Sequence, residues 1–136
     1  MLAVEIRTVC GKLKRRLREH GGRDDLTPSQ VSVVLRLDKD GSSTVSSLAR
    51  AEGIRPQSMS AVVTSLQAAG LVRGVPDPSD GRQTLISLTP KCQKRLQVGR
   101  AARQDWLTST ISQKLSVREQ EKLRAALEIL SRLVED

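Results

Sequence analysis

A mainly α-helical domain with a small β wing, in the order α-α-α-α-β-β-α-α, is the fold class this sequence predicts. Three observations lead there. Apolar residues recur at helical spacing in six stretches, most of them bounded by capping chemistry. Two short runs of strand character, Leu71–Val75 and Thr84–Leu88, flank the turn-rich string Pro76-Asp77-Pro78-Ser79-Asp80-Gly81-Arg82-Gln83. The chain has 136 residues, 38% of them hydrophobic, with one Trp and neither Phe nor Tyr. That suits one domain whose core is Leu, Val, Ile and Ala.

The first helix places Leu2, Ile6, Val9, Leu13 and Leu17 on one stripe, with Lys12, Lys14, Arg15, Arg16 and Arg18 on its polar side. Gly21-Gly22 ends it, and His20 in its last turn reads as structural. Thr27-Pro28-Ser29-Gln30 opens the second helix with a cap, a first-turn proline and a capping box. Val31, Val34 and Leu35 are its expected buried stripe, and Asp40-Gly41-Ser42-Ser43 stops it. Thr44 caps a short helix from Val45 to Glu52, which Gly53 breaks. Pro56 opens another that reaches Ala69. After the hairpin, Thr89-Pro90 launches a long helix with Leu96, Ala102, Trp106, Leu107 and Ile111 on or near one face. A second capping box, Ser116-Val117-Arg118-Glu119, starts a last helix carrying Leu123, Ala126, Leu127, Leu130, Leu133 and Val134.

Composition excludes several kinds of chemistry. One His and two distant Cys, Cys10 and Cys92, cannot assemble a clustered metal site or a nucleophile–base pair, so no metal, cofactor or enzyme activity is expected. Phosphate loops and hydrolase strings are missing. Stacking on single-stranded nucleic acid is disfavoured for want of aromatic rings. The longest unbroken apolar run is Met1 to Val4, so no membrane span is drawn, and two unpaired-looking Cys suit a cytoplasmic protein. The formal net charge of +8 points to a polyanion as partner.

That charge is localised. Residues 1–23 carry a net +5, residues 24–53 a net −2, residues 54–100 a net +5, and residues 101–136 are neutral. A solvated Arg/Lys surface is the alternative to a binding face.

The informative piece is Leu48-Ala49-Arg50-Ala51-Glu52-Gly53-Ile54 followed by Met59, Val62 and Val63. Two helices crossing steeply need a small residue where their backbones meet (Ala49) and a residue tolerant of positive φ at the bend (Gly53). Ile54, Met59 and Val62 form the expected plug beneath the second helix. This is helix-turn-helix spacing, and a hairpin directly after it makes a winged helix. The alternative is two packed helices of an unrelated bundle. On the second helix Met59, Val62, Val63, Leu66 and Ala69 face inward, while Gln57, Ser60, Ala61 and Thr64 face out, with Ser58 at the entry edge. A small, uncharged face can sit deep in the major groove of double-stranded DNA, where Gln, Ser, Thr and Ala each have base-edge partners. Cations stand at its edges: Arg55, Arg73 and the wing's Arg82, assigned to phosphates or the minor groove. Asp80 is placed to brace the wing by pairing with an Arg.

Taken in order, Leu26-Thr27-Pro28-Ser29-Gln30, Leu48-Ala49, Gly70-Leu71-Val72, Asp77-Pro78-Ser79-Asp80-Gly81-Arg82 and Leu88-Thr89-Pro90 resemble the MarR family of bacterial transcription regulators, over essentially the whole chain. The resemblance implies a single domain over 1–136. In it, 26–89 is the DNA-binding lobe, and 1–22 with 90–136 supply interlocking dimerisation helices. It further implies a homodimer on a pseudo-palindromic operator, usually as a repressor released by a small-molecule effector or by oxidation. Ser58, Ser60 and Thr64 match recognition-helix positions, Arg82 the wing arginine, and Asp80 the acidic residue that steadies it. Three departures stand out: Ala61 where the family often has Arg, Glu52 at a position usually apolar, and Arg55 where a Ser or Thr cap is common. Cys10, with Arg7 and Lys14 on adjacent turns, is a candidate redox residue; the alternative is a small packing residue. The runner-up function is a winged-helix module for protein assembly with only non-specific DNA affinity.

Overall fold

The computed structural model describes residues 1–22 and 25–136. Arg23 and Asp24, counted above in the charge blocks, lie outside the described residues. Local chemistry opens the helices where the caps stand. At α2 (Pro28–Asp40) the Thr27 hydroxyl accepts from the Gln30 N–H at 3.1 Å, and the Gln30 side-chain Oε1 accepts from the Thr27 N–H at 2.8 Å. Two donors that the first turn would otherwise orphan are thereby satisfied. Ser116 and Glu119 repeat the device at α6 (Val117–Ser131), and the Ser116 N–H and hydroxyl hold the Glu119 carboxyl below the usual carboxylate value. Thr44 caps α3 (Val45–Glu52) by accepting from the Ser47 N–H at 3.1 Å. Gly53 closes that helix at φ 68°, a left-handed conformation that costs a Cβ-bearing residue strain. α1 (Leu2–Glu19), α4 (Pro56–Ala68) and α5 (Pro90–Lys114) complete the helices, and β1 (Val72–Pro76) with β2 (Thr84–Leu88) form the hairpin. The order is the predicted one. Boundaries move slightly: β1 begins one residue later than expected, and Ala69 caps α4 and is exposed instead of facing inward.

The chain forms two compact units, Gly21–Arg100 and a second made of Met1–His20 with Ala101–Asp136. In the first, β1 and β2 pair antiparallel from Val72↔Leu88 to Pro76↔Thr84. A third piece of backbone joins them. Ser43 donates to the Ile86 carbonyl at 3.1 Å and accepts from the Ile86 N–H at 2.7 Å, so the α2–α3 loop is bridged to β2. Sequence reading saw only a helix stop at residues 40–43. The core gathers Leu48, Met59, Leu66 and Leu71, each at most 1% exposed, with Val33 from α2 and Cys92 from the first turn of α5. In α2 the buried residues are Val33, Val34 and Leu37, whereas Val31 and Leu35 are only half-buried. Five apolar residues in seven leave the helical phase open, and packing against β2 and α4 chooses it.

The second unit is differently built. Neither α1 nor α6 buries a residue within the chain. Leu2 (71% exposed), Val9 (65%), Leu127 (53%) and Ile129 (61%) present apolar side chains to solvent, and Leu133 and Val134 lie beyond the end of α6. His20, the C-cap of α1, stacks on Trp106 with ring centroids 4.7 Å apart, a structural role that joins α1 to α5. No described helix is long and apolar enough to cross a membrane.

Candidate nucleic-acid interface

α3 and α4 meet as the spacing requires. Ala49, 1% exposed, sits at the junction, and the Ile54 N–H donates to the Ala49 carbonyl at 3.0 Å across the left-handed Gly53. One expectation fails here. Ile54 is 38% exposed, so the plug under α4 consists of buried Met59 and half-buried Val62 alone. Ile54 instead lines a shallow cleft beside Met59 and Val62.

α4 buries Met59, Val63 and Leu66 and exposes Gln57, Ser58, Ser60, Ala61 and Thr64. The helix contains no charged residue. Its N-cap, Arg55, makes no side-chain cap bond and is exposed, which leaves a cation beside the free N–H groups of the first turn. Arg73 is exposed on β1 opposite Ser87. At Gly74, next to it, a Cβ would stand 2.8 Å from the Thr84 methyl, so a larger residue would force a local shift.

The wing tip is organised by two aspartates. Asp77 accepts from the Ser79 N–H at 2.8 Å and donates its own N–H to the Gln83 carbonyl at 2.9 Å. Asp80 accepts from the Arg82 N–H at 3.1 Å and from the Arg82 Nε at 3.4 Å. Asp80 thus pairs with both the main chain and the side chain of Arg82. The Arg82 side chain stays 95% exposed and free to reach outward.

What sequence reading did not find is the polar brace behind this face. Glu52, which departs from the family's apolar choice, is paired: its Oε1 accepts from the Ser32 hydroxyl at 2.6 Å and from the Arg36 Nε at 3.2 Å. The Ser32 hydroxyl holds the Glu52 carboxyl below its ordinary 4.5, burial opposes this, and Arg36 adds to the lowering. The sign follows. A depressed folded value contributes stability that is fully present above pH 4.5 and fades as pH falls through the lower folded value. Glu52→Gln should cost about 1 kcal/mol at pH 7 and flatten the acid limb of the stability curve, checked by urea unfolding between pH 3 and 7. An acid limb identical to wild type would show that the brace is energetically silent.

A cleft of about 250 Å³ lies between α2 and the turn, lined by Ser32, Glu52, Ile54 and Met59. It falls short of the roughly 300–1,000 Å³ of small-molecule sites, so no effector is assigned to it. Among the described residues no group of three or more His, Cys, Asp or Glu is placed to hold a metal. Cys92 is buried, and burial pushes its thiol up, away from reactivity. Cys10 is exposed on α1, so it does not pack within the chain.

Comparison with known proteins decides what this arrangement belongs to. Residues 24–83 match the model of the MarR family. An HTH-type transcriptional regulator of Mycobacterium bovis is 33% identical over 135 residues, covering 99% of this chain and 94% of the relative. The chain belongs to the MarR family. It is a transcriptional regulator of that family and not an enzyme. A Pseudomonas aeruginosa protein described as a transcriptional regulator superposes with a TM-score of 0.82 at 32% identity, over 98% of this chain and 94% of that one. A Staphylococcus aureus MepR mutant, solved bound to an oligodeoxyribonucleotide, shares the fold at a TM-score of 0.76 and 20% identity, with 99% of each chain covered. The MarR winged helix is thus the fold seen here, with six helices and a two-stranded wing among the described residues.

Proposed function

We propose that this MarR-family regulator binds double-stranded DNA sequence-specifically as a homodimer on a pseudo-palindromic operator, acting as a repressor that a small-molecule effector releases. The observation that carries the reading is α4: an exposed, uncharged, small-residue face, with exposed Arg55 at its N-cap and exposed Arg73 and Arg82 on the hairpin that follows. Solvated helix faces normally carry Lys and Glu. A face without them tolerates burial against base edges. In this reading Gln57, Ser60, Ala61 and Thr64 meet bases, with Ser58 at the entry edge. Arg55 and Arg73 meet phosphates, Arg82 enters the minor groove, and Asp80 holds the loop that presents it. Residues 26–89 serve as the DNA-binding lobe, while 1–22 and 90–136 supply the dimerisation helices of a single domain. Support for DNA as the partner comes from the MepR mutant, which has the same fold and binds an oligodeoxyribonucleotide. Cys10, exposed, is the candidate for redox control, and the protein is assigned to the cytoplasm.

Selection from a random duplex pool, followed by titration at several salt concentrations, tests this. Enrichment of an inverted repeat with half-sites about one helical turn apart is expected, with log affinity falling steeply against log salt. Equal binding to all duplexes, with no motif recovered, would favour a winged-helix module for protein assembly instead.

A further inference from the structure

The recognition helix needs more than burial to be useful. Its apolar side fixes how deep α4 sits in the lobe, but contacts of that kind are non-directional and leave the roll of the helix about its own axis soft. Side chains that read base edges must be held to roughly 10–20°. Fixing the roll takes a directional contact on the flank of α4, and the structure contains one.

Gln30 belongs to the capping box of α2, where its carbonyl oxygen accepts from the Thr27 N–H. The other half of the same amide reaches across to α4, where Nε2 donates to the Ser65 hydroxyl at 3.0 Å. Ser65 in turn donates to the Val62 carbonyl at 2.6 Å within its own helix. The bonding is determined throughout. The Thr27 N–H requires an acceptor, and the Ser65 hydroxyl has spent its one hydrogen on Val62 and can only accept, so the amide has a single workable orientation. A capping box is served equally by Glu or Gln. Only Gln supplies the second donor, which Ser65 accepts.

At 100° per residue Ser65 lies on the same flank of α4 as Ser58, one edge away from Ala61 and Thr64. Gln30 is pinned at its own end by the cap, so the grip comes from a fixed point and not from a mobile side chain. We propose that Gln30 is a positioning residue for recognition: through Ser65 it sets the roll of α4 and thereby which base edges Ala61 and Thr64 meet. This rests on the sequence-specific reading above.

Ser65→Ala isolates the effect, because it removes the acceptor and leaves the capping box of α2 intact. Affinities for the selected operator and for the same duplex with scrambled half-sites are measured beside the thermal midpoint. Alanine is the better helix former, so the midpoint should hold or rise. The ratio of the two affinities should fall roughly three- to tenfold, the yield of one hydrogen bond, with the scrambled duplex bound as before. Ser65→Thr, which keeps the hydroxyl, should restore the ratio. An unchanged ratio in Ser65→Ala, or equal losses on both duplexes, overturns the positioning role. The wild type is measured first: if it does not discriminate between the duplexes, the sequence-specific reading fails, and this proposal with it.

Discussion

Leu127→Asp should convert a dimer to a monomer, read by light scattering, and weaken operator binding on the order of a hundredfold as two tethered half-site contacts become one. The argument starts from what α1 and α6 lack. Neither buries a residue in the chain, and Leu123 and Leu127 on α6 are 42% and 53% exposed, with Leu2 and Val9 on α1 more so. So many exposed large apolar side chains are rarely left open on a monomer, and a second copy of the same surface is the commonest cover. An aspartate there would be desolvated without a partner at the interface. Because Leu127 is already half-exposed, the variant should still fold, and retention of helical circular dichroism separates dissociation from collapse. A wild type that is monomeric at micromolar concentration, or a variant that stays dimeric, removes the dimer from the functional reading.

Arg82→Ala should reduce operator affinity roughly tenfold and lower the slope of log affinity against log salt by about one, with the dimer untouched. Within the protein Arg82 does little. Its side chain is 95% exposed and its ion pair to Asp80 spans 3.4 Å. An arginine so placed gains its value from a partner outside the chain, and the negative potential of a narrow minor groove is the strongest such field on DNA. Asp80→Ala provides the contrast. It removes the acceptor that organises the Arg82 backbone, so it should lower affinity less than Arg82→Ala while leaving the salt slope nearly unchanged. Wild-type affinity in Arg82→Ala would take the wing out of the interface.

Much of this molecule was legible from local chemistry. Thr27 with Gln30 and Ser116 with Glu119 announce helix starts because a capping box is a four-residue event, complete within its own stretch of chain. Gly53 is legible for the same reason: the left-handed turn is a property of one residue. The exposed face of α4 follows from helical periodicity. Two kinds of feature did not show. Where apolar residues crowd, as from Val31 to Leu37, any of several helical phases satisfies the pattern, and tertiary packing selected Val33, Val34 and Leu37. Ile54 similarly looked like core because it is apolar and stands beside a turn. The second kind is pairing across distance. Glu52 reads as an anomaly until Ser32 and Arg36, 20 and 16 residues earlier, are seen beside it. Gln30 reads as a cap until Ser65, 35 residues on, is seen to take its other hand.

The bridge between Ser43 and Ile86 belongs to a third category, since both of its hydrogen bonds run from main chain to main chain. Side-chain identity at position 43 has no part in them. Natural variation there should be wide, with one exception: proline carries no N–H and would sever the bond to Ile86. The attachment at the root of the wing is therefore inherited as geometry, and it can persist in distant relatives that share no letter with this chain at that position.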